Sequence, residues 1–252
     1  MYHNSHFPMQ KIFFLSLALL AVFAAFSQEK RADEPLKIGY IYGASVHNRG
    51  LSGNFGVYFG KNPLKWVIRL DASTLKNTKE TRIRSIYMDL KEGSRFVYDK
   101  MNRFAVICPT FGVRKAIIPF SAYNKVAVIG EITSGLVIGL MRPYYLNVSV
   151  PDSMSPGLYN IEATQWNPVT YTYLDVLGES NVFRKLSPSK VYAGWCVHAT
   201  AYIDMSRKAG LIRGIQLNID ANLFAKKIPI MNVSPNTASF LTAGIGMCFG
   251  VK

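Results

Sequence analysis

Acidic residues are scarce in this chain of 252 residues: 15 Asp and Glu stand against 29 Lys and Arg, a formal net charge of +14. An excess of that size suits phosphate-bearing partners, whether nucleic acid, anionic lipid headgroups or lipopolysaccharide. Cysteine is sparse as well. Cys108, Cys196 and Cys248 are odd in number and widely spaced, which fits neither a disulfide framework nor the paired spacing of a zinc site. They read as small apolar or barrel-lining residues, of which at most one pair could bridge. A membrane-length hydrophobic run is missing too: the apolar stretch from Ile12 to Ala25 falls short of the about 20 residues a spanning helix needs. No serine stands in a recognisable nucleophile motif, and no metal or cofactor motif is present.

What the N-terminus does carry is an address. Lys11 precedes the apolar run, which closes on Ala25-Phe26-Ser27, the n-region, h-region and small-residue cleavage site of a secretory signal. A cleaved signal peptide is therefore expected over 1–27, followed by a short periplasmic segment over 28–37. The mature chain has 252 − 27 = 225 residues, and loss of Lys11 leaves 28 − 15 = +13. Export removes nucleic acid from the expected partners and leaves anionic lipid and lipopolysaccharide.

The mature chain is rich in period-two alternation, which sends every second side chain to one face of a strand. From 211 to 223, Leu211, Ile215, Leu217, Ile219 and Leu223 share one face, while Gly214, Gln216, Asn218, Asp220 and Asn222 share the other. Trp195, Val197, Ala199, Ala201 and Ile203 oppose Cys196, His198, Thr200, Tyr202 and Asp204 in the same way. Eight strands are predicted, over 38–46, 51–61, 64–75, 103–115, 125–147, 190–206, 210–225 and 237–250. Connections of odd rank (47–50, 76–102, 148–189, 226–236) include both long ones, and those of even rank (62–63, 116–124, 207–209) are short. Long loops on one side, short turns on the other and an even strand number are the pattern of outer-membrane barrels. The polar face is built from Gly, Ser, Thr, Asn, Gln and a few charges, which suits a narrow lumen, whereas the apolar face suits lipid. The expected fold is thus all-β: an eight-stranded antiparallel up-and-down transmembrane β-barrel over 38–252, located in the outer membrane. Aromatics at strand ends, among them Tyr40, Tyr42, Trp66, Phe104, Tyr144, Phe224 and Phe249, fit interfacial girdles.

Several segments resemble a set of small outer-membrane β-barrel proteins of Bacteroidota. They are Ser45-Val-His-Asn-Arg-Gly-Leu51, Asn102-Arg-Phe-Ala105, Gly139-Leu-Met-Arg-Pro-Tyr-Tyr-Leu146, Lys226-Lys-Ile-Pro-Ile-Met231 and Phe249-Gly250. The resemblance runs from about residue 38 to the end and implies fold and location, with no activity to carry over. It departs from the common barrel pattern at the end, where Phe249 is followed by Gly-Val-Lys instead of closing the chain.

Two groups of residues are candidate sites. The first is a polar lumen network of Arg69, Asp71, Arg114, Glu131, His198, Asp204, Asn218 and Asp220, in which buried charges must pair. For a hairpin turning near residue 208, His198 is expected opposite residue 218, with Asp220 in diagonal reach. The second is an outer-loop interaction surface of Trp166, Tyr171, Tyr173, Lys226, Lys227, Ile228 and Ile230, in loops too long to be idle connections. The charged loop 76–102 is a further place to clamp lipopolysaccharide phosphates.

An eight-stranded lumen is just wide enough for its own side chains. The expected role is therefore structural or interactive, through the outer loops, with other envelope components such as a secretion or barrel-assembly complex, without enzymatic activity or cofactor. Transport of a small solute or lipid, and a lipid A-modifying activity using His198, are the alternatives.

Overall fold

The computed structural model describes residues 37–61, 63–87, 94–119, 126–151, 159–167, 170–180, 190–206, 211–233 and 235–251. The expected signal peptide, the segment 28–36 and the turn 207–210 lie outside them. Eight long strands, β1 (Lys37–His47), β2 (Gly50–Lys61), β3 (Leu64–Leu75), β6 (Asn102–Ile118), β7 (Ala127–Pro143), β11 (Lys190–Asp204), β12 (Leu211–Phe224) and β13 (Ser239–Val251), close into an antiparallel barrel. Each pairs with its predecessor and successor among these eight, and β1 closes on β13, so the topology is up-and-down.

The stagger of the barrel follows from its register. Tyr42 is level with Phe55, Leu70 and Pro109, then Leu136, Trp195, Leu223 and Ser239 around the wall. Across the closure, Tyr42 instead pairs with Phe249, a displacement of 249 − 239 = 10 residues. With about 3.3 Å of rise per residue and about 4.8 Å between strands, that displacement over eight strands tilts them by about 40°, within the range small barrels adopt.

The alternation is inverted relative to a water-soluble protein. Outward positions hold Tyr42, Phe55, Ile68, Leu136, Ile219 and Ile245, all substantially exposed, while Arg69, Glu131, His198, Gln216, Asn218 and Asn222 point inward and are buried. Tyr42 stacks on Phe249 and Trp66 on Phe111 along the outward face. Phe104 and Phe224, expected in a girdle, instead turn inward, the Phe104 ring lying 5.2 Å from that of Phe224 and 5.9 Å from that of Phe240. They join Leu75, Val106, Met141, Ile228 and Ile230 in an apolar plug at the long-loop end.

The long connections build structure of their own. β4 (Arg82–Arg84) pairs with β5 (Arg95–Val97). β8 (Tyr145–Pro151) is the centre of a three-stranded sheet between β9 (Tyr159–Gln165) and β10 (Val176–Glu179). The fifth predicted strand, 125–147, therefore spans two elements. After Pro143, which has no N–H to donate, Tyr144 bonds to the Met101 carbonyl and the chain leaves the barrel wall for the outer sheet. Phe96, Tyr144, Leu146, Trp166 and Val176 form the core of this outer body. Asp99, in the left-handed region at φ 62°, ties it to the β12–β13 loop: its carboxylate accepts from Val233 N at 2.9 Å and its carbonyl from Asn232 N at 3.0 Å.

Candidate functional site

The lumen charges are supplied by strands that alternate inward, so each enters the interior from a fixed height on the wall. Arg69 on β3 is 2% exposed. Its Nε and Nη2 donate to Asp71 at 2.6–3.0 Å, and Nη1 lies 3.0 Å from Glu131, 2.8 Å from Thr200 Oγ1 and 2.9 Å from Tyr202 OH. Arg114 reaches the second Glu131 oxygen at 3.5 Å. Its guanidinium carbon lies 4.5 and 4.8 Å from the ring centres of Tyr58 and Tyr202, so ring faces supply attraction that one carboxylate shared between two arginines cannot. Two cations thus face two carboxylates, the condition under which buried charge persists.

Further toward the long-loop end, His198 Nδ1 meets Asp220 Oδ1 at 2.9 Å and Thr242 donates to Asp220 Oδ2 at 3.3 Å. The two partners stand directly opposite, since His198 pairs with Asp220 and Thr200 with Asn218. The register therefore differs by two residues from that expected for a turn at 208, because the hairpin centres one residue later. Asn218 donates to Ser45 Oγ at 3.0 Å, and Asn54 to Gln216 at 3.2 Å. Asp204 belongs to the short-turn end of the lumen. It is fully buried at the short-turn end of β11, where its carboxylate accepts from the N–H groups of Ser206 and Arg213 and caps the hairpin. Thr200, Tyr202, Tyr58 and Gln216 complete the network. Their inward parity was readable, but their partners across the lumen were not.

The outer-loop candidates divide. Lys226 and Lys227 are exposed, Tyr171 is half-buried against the outer core, and Tyr173 begins a single 3-10 turn, Tyr173–Asp175. Trp166 is only 4% exposed and edge-on to Tyr98 at 5.1 Å. Ile228 and Ile230, at 0 and 1% exposure, cap the lumen instead of presenting an apolar surface. The expectation that these three meet a partner is corrected by their burial: each has found apolar surface within its own chain.

Part of the charged loop 76–102 lines a cleft at the long-loop rim. About 480 Å³ in volume, it opens between the outward ends of β3, β6 and β7 and the overhanging outer body. Lys76, Arg82, Lys100, Arg103 and Arg142 line it against Glu80 and Glu179, an excess of 5 − 2 = 3 positive charges, with Ala105 and Leu140 as its apolar wall. Lys100 pairs with Glu80 and Arg103 with Glu179. Burial pushes the Lys100 ammonium below the ordinary lysine range, against the pull of Glu80. Burial also pushes the Tyr144 phenol up; its hydroxyl donates to Glu179 and accepts from Val97 N at 3.0 Å. The cations and the apolar wall together suit an anionic group attached to a hydrophobic body.

No protein-family model matches the chain, and no curated protein matches it. Among solved structures, the chain is similar to Neisserial surface protein A, at 9% identity over 87% of this chain and 99% of that one, with a TM-score of 0.39. It is also similar to Ail, the attachment invasion locus protein of Yersinia pestis, at 9% identity over 86% of this chain and 95% of that one, with a TM-score of 0.34.

Proposed function

We propose that the protein is an outer-membrane β-barrel with a filled lumen that interacts with other envelope components on its long-loop side, and that lipopolysaccharide phosphates occupy the rim cleft. The inverted barrel supports the membrane reading: a wall of exposed Leu, Ile, Phe and Tyr around a charged interior is unfavourable in water and favourable in lipid. Closure leaves no unpaired strand edge in the wall, as a bilayer requires.

The rim cleft carries the interaction reading. It sits where the apolar wall ends and the polar outer body begins, the height at which headgroups lie. Three excess cations attract phosphate, and planar guanidinium groups such as those of Arg103 and Arg142 match its oxygens in pairs. A second reading, docking of a secretion or barrel-assembly protein, draws on β9. Among the described residues it pairs with β8 alone and exposes Tyr159 and Ile161, an edge that another strand could extend. Transport draws no support from a lumen filled by paired charges.

The test is extraction of the affinity-tagged protein from native outer membranes in mild detergent, with mass spectrometry of the lipid and protein that accompany it. Lipid A species should co-purify with the parent and fall several-fold in Arg103→Ser/Arg142→Ser. Envelope proteins retained without lipopolysaccharide would favour the β9 reading. A parent that purifies with neither overturns the interaction role.

A further inference from the structure

Beside the His198–Asp220 pair, two lumen thiols take no part in the charge network. Cys108 on β6, and Cys196 and His198 on β11, turn inward and are buried. Both Sγ atoms and a ring nitrogen of His198 lie within 4.8 Å of one another. β6 and β11 are not neighbours, because β7 runs between them. Gly135 of β7 stands between them. It is level with Thr110 on one side and Cys196 on the other, and it brings no side chain to the inner face; a Cβ there would lie 2.2 Å from the Pro109 carbonyl.

His198 is held as a metal-binding histidine is held. Nδ1 is engaged by Asp220, itself fixed by Thr242, while the buried Nε2 is turned to the Cys108 thiol. A thiol is a weak partner for a buried ring nitrogen, so the site as it stands is poorly satisfied and calls for a reason. A carboxylate behind one ring nitrogen orients the ring and raises the basicity of the other, the arrangement that supports zinc ligands. We propose that Cys108, Cys196 and His198 bind a zinc ion inside the barrel, with Asp220 as the positioning residue behind His198.

Two thiolates and an imidazole suit zinc or monovalent copper, and charge selects between them. Zinc displaces both thiol protons, Zn²⁺ + 2 Cys–SH giving Zn(S–Cys)₂ + 2 H⁺, so the centre formed is neutral. Monovalent copper on the same two thiolates would leave a net negative charge buried beside Asp220, at a cost in so enclosed a place. Bonds of about 2.3 Å to sulfur and about 2.0 Å to nitrogen set tetrahedral ligand atoms roughly 3.4–3.8 Å apart, so ligand atoms now within 4.8 Å of one another close in by roughly 1.0–1.4 Å at most. Asn222 Oδ1, 3.5 Å from Cys108 Sγ, offers an oxygen for the fourth position. Because the finished lumen is filled, the ion enters as the strands close, which couples binding to folding.

The full chain, reduced and unfolded in urea, is refolded into detergent with zinc sulfate, passed through a chelating column and analysed for metal. The parent and Cys248→Ser, whose thiol lies in a separate cluster, should retain about one ion per chain. Cys108→Ser/Cys196→Ser should retain none, and Asp220→Asn should lose affinity by about 10- to 100-fold. Folding of every variant is followed independently by heat-modifiable gel migration. Refolding with Co²⁺ should give the parent and Cys248→Ser, but not the double-cysteine variant, a thiolate-to-metal charge-transfer band in the near ultraviolet. The proposal is overturned if the parent holds no more zinc than a folded double-cysteine variant. It is equally overturned if protein from native membranes carries a Cys108–Cys196 disulfide, since the same two sulfurs cannot serve both bonds.

Discussion

Placing one arginine on the outward face of β12 separates a lipid-facing wall from a water-facing one. Leu217 is 43% exposed and is flanked on neighbouring strands by Ala201 and Ile245. It stands 217 − 211 = 6 residues from one end of β12 and 224 − 217 = 7 from the other. With strands tilted by about 40°, each residue climbs about 2.5 Å along the barrel axis. A hydrophobic band about 25 Å tall centred on the strand therefore has Leu217 near its midplane, while Leu223, six residues on, sits roughly 15 Å above it and beyond the boundary. Leu217→Arg should cost about 2–4 kcal/mol of folding stability in a bilayer and Leu223→Arg about 0–1. The midplane cost is about 30- to 700-fold in the folding equilibrium. Were the wall wet, both changes would stay within about 0.5 kcal/mol of the parent, as surface substitutions do. Denaturant titration in lipid vesicles, compared at constant slope, measures the difference. Equal effects at the two positions, or a parent that stays in solution without detergent, would refute the membrane reading.

Arg69→Met strands Asp71 without its cation and leaves Glu131 to Arg114, at a distance of 3.5 Å. It should destabilise by about 3–5 kcal/mol by the same titration, and a loss below about 1 kcal/mol would mean that the lumen is hydrated. Ile228→Ala opens a gap in the apolar plug beside Phe104, Phe224 and Phe240. A loss of about 2–4 kcal/mol is expected, read as lowered thermal stability in micelles. In the outer body, the Tyr144 phenol is raised above its unfolded value of about 10. Its contribution is therefore fully present below that pH and is lost as pH rises through the folded value. Proteolytic nicking of the outer sheet should accelerate in alkali for the parent, and Tyr144→Phe should abolish that alkaline component while nicking faster at neutral pH.

Most of the wall was legible in the sequence, because alternation is a local property: each strand reports which of its faces is apolar without reference to any other strand. Leu211 to Leu223 and Trp195 to Asp204 carry that signal in full, and the parity of long and short connections orders the strands around the ring. The charged inward positions, Arg69, Asp71, Arg114, Glu131 and His198, are readable for the same reason.

Partners across the lumen are a different matter. They depend on a ten-residue stagger accumulated over eight pairings, and an offset of one residue at the β11–β12 hairpin centre is enough to bring Asp220, instead of Asn218, opposite His198. Cysteines 88 positions apart in sequence (196 − 108) come together across β7. Loop residues were the least legible. An apolar side chain such as Trp166, Ile228 or Ile230 reads the same whether it awaits a partner or packs at home, and the choice rests on whether apolar surface lies within reach in the folded chain. The sequence by itself determined the strands, their faces and the charge they would have to bury. Tertiary closure alone decided which charges pair, what plugs the mouth and where the rim cleft opens, since each depends on contacts between residues distant along the chain.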